Sequence, residues 1–229
     1  MLEILFQDEF LVAVNKPAGM MVHPGREPEP RENIAMKVLR DQLGARVHPI
    51  HRLDRPTSGV LLFALDKKTA GVAQQAFENR LVKKTYLAVI AGSAQEQWSC
   101  QEPIQPSPDD PPQAAETHFR RILFHPAGMH PADPELGLAL IQARPVTGRF
   151  HQIRRHLLAA GTPIVGDFRY AGEALSHRLC GMFDLGTRML LQASTLELVH
   201  PHSGEALKIT APIDVDFLKC FPEIESALD

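Results

Sequence analysis

Residues 51–59 read HRLDRPTSG: one carboxylate, Asp54, set between Arg52 and Arg55, with His51 three positions ahead of it. Nearby positive charge favours an ionised carboxylate. Asp54 is therefore expected to stay charged well below neutral pH, which suits a nucleophile or a base rather than an acid. An apolar run at 60–65 follows at once, so the charged stretch is expected to be a loop entering a buried strand, where a side chain is both held and reachable. Taken alone, an aspartate before Thr-Ser-Gly is more often a turn or ion-pair residue than a catalyst. The rest of the chain has to decide between the two.

A second segment, RPVTGRFHQIRRH at 144–156, holds Arg144, Arg149, Arg154 and Arg155 with His151 and His156 and no acid. If the two segments meet, they form a basic cleft with a single carboxylate at its floor. Such a cleft attracts a phosphate backbone even on a chain whose formal charge is −3. Two unrelated solvated charge runs are the alternative. Tyr86 sits inside the alternating stretch KTYLAVIA at 84–91. It is either a half-buried sheet residue or a platform for a base lifted out of a nucleic-acid helix.

Other chemistries fit poorly. His51, Asp54 and Ser58 lie within eight residues, but a hydrolase triad converges from separate elements, and no GxSxG elbow is present. A glycosidase needs two facing carboxylates, and no second acid stands beside the basic segments. P-loop and GxGxxG patterns are missing. The His48/His51 and His151/His156 spacings do not fit a metal site, and three separated cysteines do not make a disulfide framework.

At 229 residues and 44% hydrophobic, the chain is expected to fold as one or two compact lobes. It carries no apolar stretch long enough for a membrane span. Its N-terminus lacks a secretory leader, so a soluble cytoplasmic protein is expected. Strands are expected at 2–6 and 10–15 as a hairpin, then at 60–65, 84–91, 115–124, 137–143, 189–199 and 206–210. A helix capped by Asn33 should end at Gly44. A second, capped by Asp66, should point Ala70, Ala73, Phe77 and Leu81 inward, and a third is expected over 150–160. A charged Pro-rich loop is expected at 24–32. Residues 101–114, with five prolines, should form a long exposed loop, either an insertion or a seam between lobes. Residues 125–136 read as a hairpin tip, 168–187 as irregular, and 213–229 as a C-terminal helix with a frayed tail. This pattern is α+β with a mixed sheet rather than regular βαβ alternation.

In order, NKPAGMMVHPG at 15–25, HRLDRPTSGVLL at 51–62, KKTYLAVIAG at 83–92, TGRFHQIRRHLLAAGTPIVGD at 147–167 and LLQASTLELVHPHSGE at 190–205 resemble the RluA-type pseudouridine synthases. The opening residues look closest to the branch that modifies uridine 65 of tRNA. The type acting on ribosomal RNA and the tRNA anticodon stem-loop is next, and a non-catalytic RNA-binding member of the fold is the remaining alternative. The resemblance implies a mixed, mainly antiparallel sheet in two subdomains flanking a central cleft. It implies a single catalytic domain over 1–229, since the first motif begins at Asn15 and leaves no room for an N-terminal S4 domain.

By the same resemblance, Asp54 matches the essential aspartate, and Tyr86 the aromatic that stacks on the target uracil and helps remove its C5 proton. Arg154 matches the basic partner of the aspartate, and Ile153 an aliphatic residue beside it. Arg52 matches an arginine that fills the place of the flipped base, while Lys16 and Pro17 match a first motif of structural character. The implied reaction breaks the N1–C1′ bond of a uridine and joins C5 to C1′, with Asp54 attacking C1′, removing the 2′ proton or attacking C6. It moves neither hydride nor phosphoryl group, so no cofactor or metal is expected. The expected partner is RNA, with no membrane, and the expected state is a monomer.

Overall fold

The computed structural model describes residues 1–25, 30–129 and 136–228. Parts of the Pro-rich loop expected at 24–32 and of the tip expected at 125–136 lie outside them. Two compact units divide the chain: Met1–Lys84 with Ala193–Pro212, and Thr85–Gln192 with Ile213–Asp229.

In the first unit, β1 (Glu3–Gln7) and β2 (Leu11–Lys16) form the expected antiparallel hairpin. β2 lies antiparallel to β4 (Ser58–Ala64), with Lys16 opposite Gly59. β9 (Leu191–Val199) follows β4 in the sheet and carries β10 (Ala206–Thr210) antiparallel beside it. The two residues of β3 (His48–Pro49) pair with the end of β4. Every residue of β4, SGVLLFA, is buried, as an apolar run with no polar alternation requires. Leu11, Ala13, Val60, Leu62, Ala73 and Leu196 belong to its core.

In the second unit the antiparallel order is β5 (Lys83–Ala91), β8 (Leu138–Pro145), β7 (Thr117–His125), β6 (Gln97–Cys100). Side chains alternate across a strand, and β5 feeds two cores. Ala88 and Ile90 join Ile141, Ile153 and Leu157 of the cluster that includes α3 (Gln152–Ala159). Leu87, Val89 and Ala91 join Leu140, Leu179 and Phe217, the last two supplied by α4 (Glu173–Met182) and α5 (Val215–Cys220). The sheet is therefore mixed with helices and mostly antiparallel, as expected. Among the described residues no helix is long and apolar enough to cross a membrane.

Four local expectations are corrected. Asn33 falls in a 3-10 turn and does not cap α1 (Ala35–Leu43). The first free N–H groups of α1, on Ala35 and Met36, donate instead to the backbone carbonyls of Met21 and Val22, which serves the same purpose as a side-chain cap. Asp66 caps α2 (Lys67–Glu78) as expected, accepting from Thr69 N at 2.9 Å. However, α2 stops at Glu78 and Arg80 turns left-handed (φ 59°), so Leu81 is 70% exposed rather than inward. Residues 173–182 form α4 where irregular structure was expected, because Ser176 and Cys180 serve as buried helix positions that an apolar pattern undercounts. The C-terminal helix is two short ones, α5 and α6 (Ile224–Leu228), separated at Phe221-Pro222, since proline cannot donate within a helix.

Gly59 has φ 104°, and a Cβ there would run into the backbone carbonyl of Ala193. Replacing it with alanine combines left-handed strain with a clash against a buried strand. Gly59→Ala should therefore lose at least ~2 kcal/mol of stability, measured by chemical denaturation.

Candidate active site

The loop carrying Asp54 is held at both ends and at its middle. Ahead of it, Ile50 and Leu53 are buried, and His51 Nε2 accepts from Leu62 N–H of β4 at 3.1 Å. The His51 ring stacks on Phe77 of α2, with centroids 4.8 Å apart. Behind it, the Thr57 N–H donates to the Asp54 carbonyl at 3.0 Å, closing a turn, and Thr57, Ser58 and Gly59 are buried. Asp54 itself is half-buried and Arg52 exposed. Among the described residues no hydrogen bond or ion pair claims the Arg52 guanidinium.

The first motif supplies the clamp at the middle. Lys16 ends β2 fully buried, and its ammonium donates to the carbonyls of Pro17 (2.9 Å), Met20 (2.8 Å) and Arg55 (3.2 Å). The Gly19 N–H also donates to the Arg55 carbonyl at 2.8 Å, while Arg55 Nε returns a bond to the Gly19 carbonyl at 2.9 Å. Arg55 follows Asp54 directly, so these bonds fix the backbone from which the carboxylate projects. An ammonium offers three donors, and all three find acceptors.

The second unit holds the other candidates. Tyr86 is half-buried on β5, opposite Ala143 of β8, and packs against the cluster that contains Ile153. Ile153 and Arg154 are both buried in α3. Arg154 donates from Nε and Nη2 to the two carboxylate oxygens of Asp167, each at 2.8 Å, with both side chains 5% exposed or less. This side-on pairing turns the Nη1 edge of the planar guanidinium away from Asp167. The Arg154 guanidinium also lies 4.9 Å from the Tyr170 ring centroid. Asp167 follows Gly166 (φ 75°), where any Cβ would strike the Arg188 carbonyl.

Sequence reasoning assigned no role to Asp167, although it closes the 147–167 motif. The one available signal was an acid thirteen residues beyond an arginine in an otherwise acid-free stretch. The remaining motif residues are braces. Gln152 accepts from Thr147 Oγ1 (2.6 Å) and Arg149 N (3.0 Å) and donates to the Glu116 carbonyl (2.8 Å). His156 bonds Thr117 Oγ1 and the Glu102 carbonyl, each at 3.0 Å, and burial pushes its pKa down.

The basic run is also less available than expected. Arg149 Nε donates to the Ala114 carbonyl at 3.1 Å and Arg155 Nη1 to the Gln105 carbonyl at 2.8 Å. The Pro-rich loop thus lies within the second unit, closed by an Ile104–Gln113 bridge and latched to α3 and the turn before it.

A sequence model of the RNA pseudouridylate synthase family matches residues 10–159, from just before β2 to the end of α3, and the chain belongs to that family. Among its relatives it is 40% identical to tRNA pseudouridine synthase C of Haemophilus influenzae, over 93% of this chain and 94% of that one. It is 38% identical to the protein of that name in Vibrio cholerae, over 93% and 92%. Of solved structures, it is similar to human RNA pseudouridylate synthase domain containing 4, with a TM-score of 0.74, 25% identity, and 97% of this chain and 93% of that one covered. It is also similar to human RNA pseudouridylate synthase domain containing 1, with a TM-score of 0.73, 26% identity, and 93% and 84% covered.

Burial, and secondarily the charge of Lys84, lowers the His51 pKa from 6.5 to about 4. The ring is therefore neutral in the fold, as its acceptor role toward Leu62 requires. A lowered histidine pKa means that the unfolded chain takes up the proton first. Its contribution is thus complete above pH ~6.5 and lost as pH falls toward ~4, on the order of 3 kcal/mol in all. Denaturant titrations from pH 7 to 4.5 should show a steeper acid decline for the native protein than for His51→Asn.

Proposed function

We propose that this enzyme converts a uridine of tRNA to pseudouridine in the cytoplasm, acting as a monomer, with Asp54 as the working carboxylate. Two relatives named for tRNA, matched over nearly their full lengths, favour tRNA over ribosomal RNA. The observation that carries the reading is the three-sided fixation of the Asp54 loop by Lys16, His51 and the Thr57 turn. A turn residue of no further use does not need its neighbour's carbonyl bound by a buried ammonium.

The reaction is a rearrangement in which atoms balance within the nucleotide. The N1–C1′ bond breaks, the uracil turns, C5 bonds to C1′, and the C5 proton leaves as N1 gains one. Asp54 acts at the sugar or at C6 to open the first bond. Arg154, held by Asp167, carries the positive charge that this reading assigns to the working carboxylate. Tyr86 stacks on the everted uracil, with Ile153 lining the apolar surface beside it, and Arg52 fills the vacancy left in the RNA. These contacts offset the few kcal/mol that flipping costs.

Asp54→Asn should keep RNA affinity within a few-fold yet lose product by about a thousandfold or more, scored by mapping pseudouridine in tRNA from cells with and without the variant. Retained product dismisses the assignment. Tyr86→Phe should bind RNA normally and turn over poorly, whereas Tyr86→Ala should fail in both; single-turnover assays beside gel-shift titrations separate the two.

A further inference from the structure

An exposed aromatic and basic patch lies beside the buried Arg154–Asp167 pair and is built from two short segments of the second unit. Phe150 is 41% exposed and stacks on His151, with ring centroids 3.7 Å apart and planes at 22°. His151 Nδ1 bonds the Tyr170 hydroxyl at 3.0 Å, and the Tyr170 ring carries the Arg154 guanidinium at 4.9 Å. Arg169 is exposed, 5.9 Å from the Phe150 centroid and 5.7 Å from that of Tyr170. Among the described residues no carboxylate pairs with Arg169.

Three properties distinguish this patch from ordinary surface. His151 holds a left-handed backbone (φ 54°), which costs a β-carbon residue roughly 1–2 kcal/mol, and the Phe150 stack and the Tyr170 bond hold it there. A large aromatic ring is left facing solvent with rigid backing instead of folding into the core. Residues 147–156 and 167–171 contain a single acid, Asp167, and it is buried in its pair with Arg154. The patch therefore presents an aromatic ring and an exposed cation, with no exposed acid in its own two segments, the combination that takes a base and its phosphate.

We propose that Phe150 stacks a nucleobase adjacent to the target uridine and that Arg169 takes the phosphate of the same nucleotide, so that the pair sets the register of the RNA over the site. Through His151 and Tyr170, the ring that reads the neighbouring base is tied to the guanidinium assigned to Asp54. This inference rests on the tRNA pseudouridine synthase reading above.

The test uses an unmodified tRNA transcript bearing the mapped uridine. Phe150→Ala should raise KM about tenfold with kcat changed less than twofold, and Phe150→Trp should restore KM. Phe150→Trp keeps a ring against His151, so recovery of KM in that variant separates base stacking from any thermal shift that the alanine brings. Abasic nucleotides placed in turn on either side of the target should reveal one position that costs the native enzyme about tenfold in KM and costs Phe150→Ala nothing further. An unchanged KM for Phe150→Ala, or losses that add at every abasic position, overturns the inference alone. Absence of pseudouridine from every tRNA treated with the native enzyme overturns the reading beneath it and this inference together.

Discussion

A buried ammonium is an expensive thing to fold around, because charge leaves water only when its hydrogen bonds are replaced. Lys16 meets that condition by gathering the carbonyls of Pro17, Met20 and Arg55 around one nitrogen. Two chain segments 39 residues apart are thereby fixed to a common point. Methionine or leucine of similar volume would fill the space but withdraw one donor from each of the three carbonyls. The clamp fixes the backbone beside Asp54, since Arg55 is the next residue.

The second unit uses the opposite arrangement, a buried ion pair. Removing one member of such a pair typically costs 3–5 kcal/mol, because the other is left charged and unpaired. Arg154 compensates Asp167 inside the fold, so a simple deletion there mixes the loss of this pair with the loss of whatever else the guanidinium does. A substitution there therefore disturbs folding, whereas Arg52 is exposed and can be replaced without breaking a buried pair.

Elements whose signal is local were legible in the sequence. The β1–β2 hairpin, the continuous apolar β4, the Asp66 cap and the Gly44 stop (φ 65°) follow from period, capping chemistry and left-handed glycine. Elements set by tertiary contacts were not. β6 is only four residues and half exposed, so its pairing with β7 leaves little pattern. The start of α1 is satisfied by the backbone of Met21 and Val22, more than ten residues earlier, which no local reading contains. Among site residues, charge and spacing singled out Asp54, but the roles of Lys16, His51 and Asp167 are matters of burial, and burial is a property of the fold. His51 illustrates the difference: beside Asp54 in sequence it suggests proton transfer, yet its ring nitrogen is occupied by the backbone of β4.

The Pro-rich loop of the second unit has a composition that matches what it touches. Each proline brings a carbonyl but no N–H, so a segment with five of them in fourteen residues is a ribbon with more acceptors than donors. Arginines have the reverse imbalance. Glu102, Gln105 and Ala114 lend their carbonyls to His156, Arg155 and Arg149, and each surplus absorbs the other. A surface loop of this kind is therefore not free to vary as loops usually are: adding backbone donors to it, or shortening it, would release cations from α3 and its leading turn and so alter how strongly, and how indiscriminately, the protein clings to polyanions.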